Sequence, residues 1–362
     1  MDKERRQRAV GVGVALSILL LFAMSFFNDI VFGEIFLNNG LPHYGHVMAL
    51  SPGDFSFEPD FDGEEGVVNV VQVFGLNDIE VDFSTNYDNM QMALDTIYPR
   101  IFEMPNIDDL QNPNFLVSNI YTVDPRTIFS QEIFDAVSFM ERDLRLTPLA
   151  DPDAPRVLIF HTHSTEMFID SNPLDMWTGI VGVGAYLADL LNDRGIPAIH
   201  YARRFDIVDG QSHIMGAYER QEEYIWRILE ENPSIEVIID LHRDGLLETA
   251  PLLVTYVEGR RTARLMFVNG LSMRNVNGVP TNIYHLPNPN REANLAFSFQ
   301  MQMALNEAHP GLTRRIYLNA FRYSTHFLPR ALLVEAGDQR NTQREAKNAM
   351  YPLVDALYSV LR

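Results

Sequence analysis

The chain has 362 residues, 46% of them hydrophobic, which is enough for one large folded domain and something smaller. A formal charge of -20 without any basic stripe excludes nucleic acid as a partner, because phosphate binding needs clustered Lys and Arg. There is no cysteine, so disulfides and thiolate metal sites are excluded and only His, Asp and Glu remain as metal ligands.

Lys3, Arg5, Arg6 and Arg8 open the chain, and Ala9 to Phe27 carries no charge. Such a run nearly spans a hydrocarbon core of about 30 Å. It ends in bulky Met-Ser-Phe-Phe rather than the small residues a signal peptidase needs, so residues 9–27 are expected to be a retained transmembrane anchor. After Arg8 the next basic residue is Arg100, which puts residues 1–8 in the cytoplasm and the rest outside the cell membrane.

Residues 28–66, rich in Gly, Pro, Asp and Phe without a period, are expected to be an acidic tether. Residues 67–150 read as a small partner-binding or stalk region. An amphipathic helix is expected there at Gln131 to Arg145, with Ile133, Val137, Met140 and Leu144 on one face. From Asp151 strand and helix alternate, which predicts an α/β domain over 151–362 with a mostly parallel sheet flanked by helices.

Its predicted elements are a strand at Val157 to Phe160, a helix near Gly182 to Asp193, a strand at Ile196 to Tyr201 and a helix at Ala217 to Glu231. A strand at Ile235 to Asp240 follows. Leu252 to Val257 and Arg264 to Val268 flank Glu-Gly-Arg-Arg like a hairpin. A long helix at Glu292 to Glu307, a strand at Ala331 to Glu335 and a helix at Thr342 to Leu361 complete the series.

Three of these strands run into polar residues suited to chemistry. The first gives way to His161-Thr-His163-Ser-Thr-Glu166, and alternation is expected to put both imidazoles on one side with Glu166 a turn beyond. The third strand leads into Leu-His242-Arg243-Asp244, where Asp240 or Asp244 is placed to orient a ring. The last ends at Glu335 before Ala-Gly. Carboxyl ends of parallel strands are where α/β proteins bind ligands. Two His and one Glu leave a fourth position for water, the arrangement of catalytic zinc, with Glu335 free to act as the base. An amide is the natural substrate, because its nitrogen leaves only when protonated. Arg243, Arg291 and Arg330 are candidates for binding substrate carboxylates.

His-Thr-His-Ser-Thr-Glu, Asp-Leu-His-Arg-Asp and Leu-Val-Glu-Ala-Gly, preceded by Tyr121-Thr-Val-Asp-Pro-Arg-Thr127 and an anchor, resemble the stage II sporulation protein P family from about Leu116 onward. The resemblance implies a zinc-dependent N-acetylmuramoyl-L-alanine amidase that cuts the amide between muramic acid and the stem peptide. It also implies cleavage of peptide cross-links, a role in forespore engulfment, and a lytic transglycosylase partner, stage II sporulation protein D. His163 and His242 then correspond to the zinc-binding histidines and Glu335 to the catalytic glutamate. Glu166 is the carboxylate ligand, with Asp170 and Asp175 as competitors, and His161 is an alternative to His163. Tyr218 and Arg220 stand for a tyrosine–arginine pair expected before the third strand. The rival readings are a zinc endopeptidase or deacetylase of the wall, and an inactive wall-binding scaffold.

Overall fold

The structure, a computed structural model, describes residues 104–130 and 133–362. The expected anchor and tether lie outside the described residues, as do residues 67–103 and 131–132 of the 67–150 region. Among the described residues no helix is long and apolar enough to cross a membrane.

A seven-stranded sheet organises the domain: β1 Tyr121–Val123, β2 Val157–Phe160, β3 Ala198–Tyr201, β4 Val237–Asp244, β5 Leu265–Gly270, β6 Ile316–Asn319 and β7 Ala331–Asp338. Their order across the sheet is β1-β6-β5-β7-β4-β2-β3. Every neighbouring pair is parallel except β5 with β7. The carboxyl ends of β2, β4 and β7 therefore meet at one edge, on adjacent strands. All four residues of β2 are fully buried, which explains why it reads as a continuous apolar run instead of an alternating one.

Among the described residues five helices of six or more residues accompany the sheet: α1 Ala136–Glu141, α2 Ile180–Asp193, α3 Ala217–Glu231, α4 Arg291–Ala308 and α5 Gln343–Leu361. One face of the sheet packs on α2, α4 and α5 through Val157, Ile159, Ile239, Leu241 and Val334. The other face carries α3, whose Ala217 and Ile225 pack on Leu158, Phe160 and Ile238. Beyond α3, a small separate patch of Met266, Val268 and Leu333 is covered by Tyr317 and Tyr323. Thr342 begins α5 with a reciprocal capping box to Glu345, so that boundary follows from local chemistry.

Several expectations are corrected. Asp151 is not where the domain begins, because β1 is an edge strand of the main sheet and Leu116, Ile120, Tyr121, Phe134, Phe139 and Leu144 belong to its core. The helix expected over Gln131 to Arg145 is only Ala136–Glu141, started by the Asp135 cap and ended where Arg142 turns extended. It buries Ala136 and Phe139 and leaves Met140 exposed. The hairpin is Val254–Val257 with Arg260–Ala263, turning at Glu258–Gly259, and Leu265–Gly270 is a separate central strand. β4 and β7 continue beyond their expected ends, so His242 and Glu335 lie within strands. β6 and a hairpin of Met273–Val276 with Val279–Asn282 were not anticipated.

Candidate active site

Glu335 of β7 is the register partner of His242 of β4, and Leu333 that of Asp240. Paired residues on neighbouring strands point to the same face, so Asp240, His242 and Glu335 share the face that carries α3. Just past Glu335 the pairing slips, two residues of β7 opposing one of β4, with Gly337 at φ +71. A Cβ at Gly337 would come within 2.4 Å of Asn341 Oδ1, so the bulge needs glycine, and it ends the ladder directly beside the site.

Asp240 is wholly buried and fully bonded. It accepts from Thr162 N (2.9 Å), Thr162 Oγ1 (2.6 Å), Ser324 Oγ (2.8 Å) and His242 Nε2 (2.7 Å). These donors and the neighbouring His242 outweigh the burial that opposes ionisation, and the Asp240 carboxyl is held down at about 2. His242 thus has Nε2 fixed on a carboxylate and Nδ1 turned to Glu166 Oε1, 3.4 Å away. Burial opposes protonation of this ring, but Asp240 and Glu166 prevail and hold its pKa well above the ordinary value. Glu166 is oriented by the backbone N–H of Arg243, which donates to its Oε2 at 2.9 Å.

His163 lies edge-on to His242 with centroids 5.3 Å apart, and Tyr218 is edge-on to His163 at 5.6 Å. Burial, then the His242 charge, lowers the His163 pKa. His163 Nδ1 is buried with no hydrogen-bond partner, and so is Glu335 Oε2. Burial, reinforced by Glu166 and Asp244, pushes Glu335 up to about 8. Two orphaned polar atoms at one buried place are what a site awaiting a ligand presents.

Among the described residues no group of three His, Asp or Glu side chains stands ready as a ligand cage. The donor chemistry nevertheless suits a divalent cation. His242 has Nε2 on the Asp240 carboxylate, the usual arrangement around metal-bound histidine, and its Nδ1 faces Glu166 Oε1 at 3.4 Å. Glu166 Oε1 converges on that nitrogen, and His163 brings an unpartnered nitrogen beside it.

The remaining expectations separate clearly. His161 does not share the side of His163: the turn after β2 brings His163 to the side of His242, while His161 keeps the alternation of Val157 and Ile159 and points to the opposite face, toward α2. There its Nδ1 donates to Leu241 O (2.7 Å) and its Nε2 meets His200 Nε2 (2.9 Å), in a notch at Gly184 where any Cβ would collide with the ring. Asp170 accepts from Gln343 N, and Asp175 caps the turn at Trp177, so neither faces the site. Asp244 pairs with Arg314 (2.6 Å). Arg243 donates to Met167 O and Asp244 O, fastening the loop behind Glu166. Arg291 is held by Leu271 O and Asn282. Arg330 precedes β7, at the edge remote from Glu335, and binds Leu144 O, Arg145 O and Glu236. Arg220 binds the carbonyls of Phe205, His213 and Met215.

Sequence reasoning missed Asp206 and Ser324. Asp206 is fully buried and accepts from Ser164 Oγ, Thr165 Oγ1 and Thr165 N, which fixes the loop between His163 and Glu166. Both lie in loops, where no periodicity marks them.

A mostly parallel α/β sheet with imidazoles and carboxylates gathered at adjacent strand ends defines a hydrolase-type acid–base site. The chain belongs to the stage II sporulation protein P family, whose model, described as Stage II sporulation protein P (SpoIIP), matches residues 118–358. That membership supports a peptidoglycan hydrolase role in sporulation. A comparison with curated proteins finds no match.

Among solved structures the chain is similar to N-acetylmuramoyl-L-alanine amidase AmiC2 of Nostoc punctiforme, at 14% identity and a TM-score of 0.34 over 57% of this chain and 96% of that one. It is similar to the CwlD amidase of Clostridioides difficile, solved in complex with the GerS lipoprotein, at 10% identity and a TM-score of 0.33 over 57% of this chain and 98% of that one. The apo amidase Ami1 of Mycobacterium abscessus matches at 13% identity and a TM-score of 0.33, over 58% of this chain and 100% of that one.

Proposed function

We propose that this protein is a zinc-dependent N-acetylmuramoyl-L-alanine amidase that cleaves the amide between muramic acid and the stem peptide, and peptide cross-links besides. The observation that carries the reading is Glu335, buried and in register with His242, its Oε2 without a partner beside a ring whose Nδ1 faces the Glu166 carboxylate. His163, His242 and Glu166 would hold the metal, which when bound polarises the amide carbonyl and lowers the pKa of water.

The chain's own residues account for the rest. Asp240 keeps the proton of His242 on Nε2 and so leaves Nδ1 as the donor atom. Arg243 N and the Asp206 bonds hold Glu166 and its loop in place. Glu335 takes a proton from water at Oε2 and returns it to the leaving amine, which departs only once protonated. Its raised pKa suits a group that must both accept and give back a proton near neutrality.

Mass spectrometry of the products from a defined wall tests the reading. Free stem peptides with an intact N-terminal alanine support it, whereas deacetylated sugars or only shortened peptides would point to the rival hydrolases.

The same proposal covers placement: residues 9–27 anchor the chain once in the cell membrane, with the hydrolase outside and a stage II sporulation protein D-like lytic transglycosylase as partner. Proteolysis of intact cells that spares the domain would refute this orientation.

A further inference from the structure

The motif Tyr121-Thr-Val-Asp-Pro-Arg-Thr127 has no part in the catalytic centre, yet it builds a second charged feature on the same sheet face. Asp124 follows β1 and is buried to 7% side-chain exposure. It grips Arg126 through Nε (2.8 Å), Nη2 (2.8 Å) and the backbone N–H (2.9 Å), and Tyr317 Oη donates to it at 2.5 Å. The turn is fastened again where Asn275 N donates to Arg126 O and Thr127 Oγ1 to Met273 O. For all this anchoring the Arg126 side chain is 56% exposed, its guanidinium 5.1 Å from the Phe321 ring centroid. Asp124 occupies one edge of the guanidinium, so donors on the other remain for a second planar acceptor.

A continuous wall joins this arginine to the catalytic centre. His242, His163, Tyr218 and Tyr323 make successive edge-on ring contacts. Tyr323 lies within electrostatic reach of both Glu335 and Arg126. Together with Tyr317 it covers the Met266, Val268 and Leu333 patch of this face, and α3 packs elsewhere on it. From β7 to β1 is three strand spacings, or about 14 Å at about 4.8 Å each. Four extended peptide residues span about the same length.

We propose that Arg126, clamped by Asp124 and Tyr317, determines specificity by binding the terminal carboxylate of a stem peptide laid across this face from the catalytic centre. The inference rests on the amidase reading for the direction of the peptide. Asp124 offsets part of the arginine's charge, so recognition comes from directed N–H donors and should reject an uncharged amide. Arg330 has no such free edge, since its Nε, Nη1 and Nη2 are all engaged.

Binding tests this without turnover. The full chain carrying Glu335→Gln is titrated with N-acetylmuramoyl tetrapeptide ending in a free carboxylate and with its C-terminal amide. The acid is expected to bind roughly tenfold more tightly than the amide, the scale of one charge-assisted bidentate contact. Arg126→Gln should abolish that preference while leaving the affinity for the amide unchanged, and Arg126→Lys should keep part of it. Equal binding of acid and amide before Arg126 is changed, or an undiminished preference after it, overturns the proposal. Failure of the amidase reading is seen separately, as acid-selective binding by a chain whose unsubstituted form releases no stem peptide from the wall.

Discussion

Glu335 and His242 are register partners on parallel strands, and they differ in how they are satisfied. The histidine is held from behind by Asp240 at 2.7 Å, while Glu335 Oε2 is buried with no partner at all. A ligand and a base should respond differently to substitution. His242→Ala removes a donor atom, so zinc content and amidase turnover are expected to fall together. Glu335→Gln keeps size but cannot accept a proton, so turnover should fall roughly 10²- to 10⁴-fold with zinc retained. Metal analysis and product release on the same samples decide: a Glu335→Gln protein with normal turnover removes the base, and one without zinc makes Glu335 a ligand.

Asp240 should act at one remove. Asp240→Asn leaves one accepting oxygen: an amide nitrogen in place of Oδ2 no longer accepts from the Thr162 and Ser324 hydroxyls, and one in place of Oδ1 no longer accepts from Thr162 N and His242 Nε2, at about 1–3 kcal/mol for each buried donor left without a partner. The tautomer of His242 is also no longer imposed. Expected outcomes are a lower melting temperature and a 10- to 100-fold weaker hold on zinc, read by chelator competition. Unchanged zinc affinity in a folded variant would leave Asp240 a structural group alone.

How much of this was legible beforehand differs from place to place. The strand cores at Val157, Val237 and Ala331 announce themselves because runs of buried β-branched and aliphatic residues stop abruptly at polar ones. Alternation held for His161, which keeps the side of Val157 and Ile159, and failed at His163, because the strand ends at Phe160 and the chain then turns. β1 and β6 are three and four residues long, too short for a period to show, and so the domain boundary was set some thirty residues late. The arginines were unreadable for another reason. Charge says nothing of which guanidinium is consumed by backbone carbonyls, as in Arg330, and which keeps a free edge, as in Arg126.

In the metal-free protein the contributions of Glu335 and His242 to stability should shrink as pH rises. Glu335 is pushed up to about 8 by burial, against 4.5 ordinarily, so the folded state keeps a proton that the unfolded chain releases. Its contribution is fully present below about 4.5 and is lost progressively as pH climbs through about 8. The raised pKa of His242 acts in the same direction at higher pH. Buried His161, His163, His200 and His326, whose pKa values burial lowers, add stability as pH rises to about 6.5, so the share of Glu335 is read in chelator from pH 5 to 9 as the difference in melting temperature from Glu335→Gln, which should shrink as pH climbs to about 8. A Glu335→Gln curve parallel to the original would mean that Glu335 does not hold its proton in the fold.

Truncation measures the early segment. A chain starting at Asp151 lacks β1 and the buried Leu116, Ile120, Tyr121, Phe134, Phe139 and Leu144. Each such side chain stabilises by about 1.5–3 kcal/mol on burial, and ordering the segment costs part of that back. The loss also uncovers the edge of β6 and the α4 surface against which Phe139 and Tyr121 stack on Phe299. Against a total stability of about 5–15 kcal/mol the remainder is not expected to fold into a soluble, cooperative domain, whereas a chain starting at Met104 should. Solubility and thermal melting of the two lengths are the measurement. A cooperative melt from the Asp151 version within a few degrees of the longer one would show that β1 is an accessory to the sheet and not part of what holds it together.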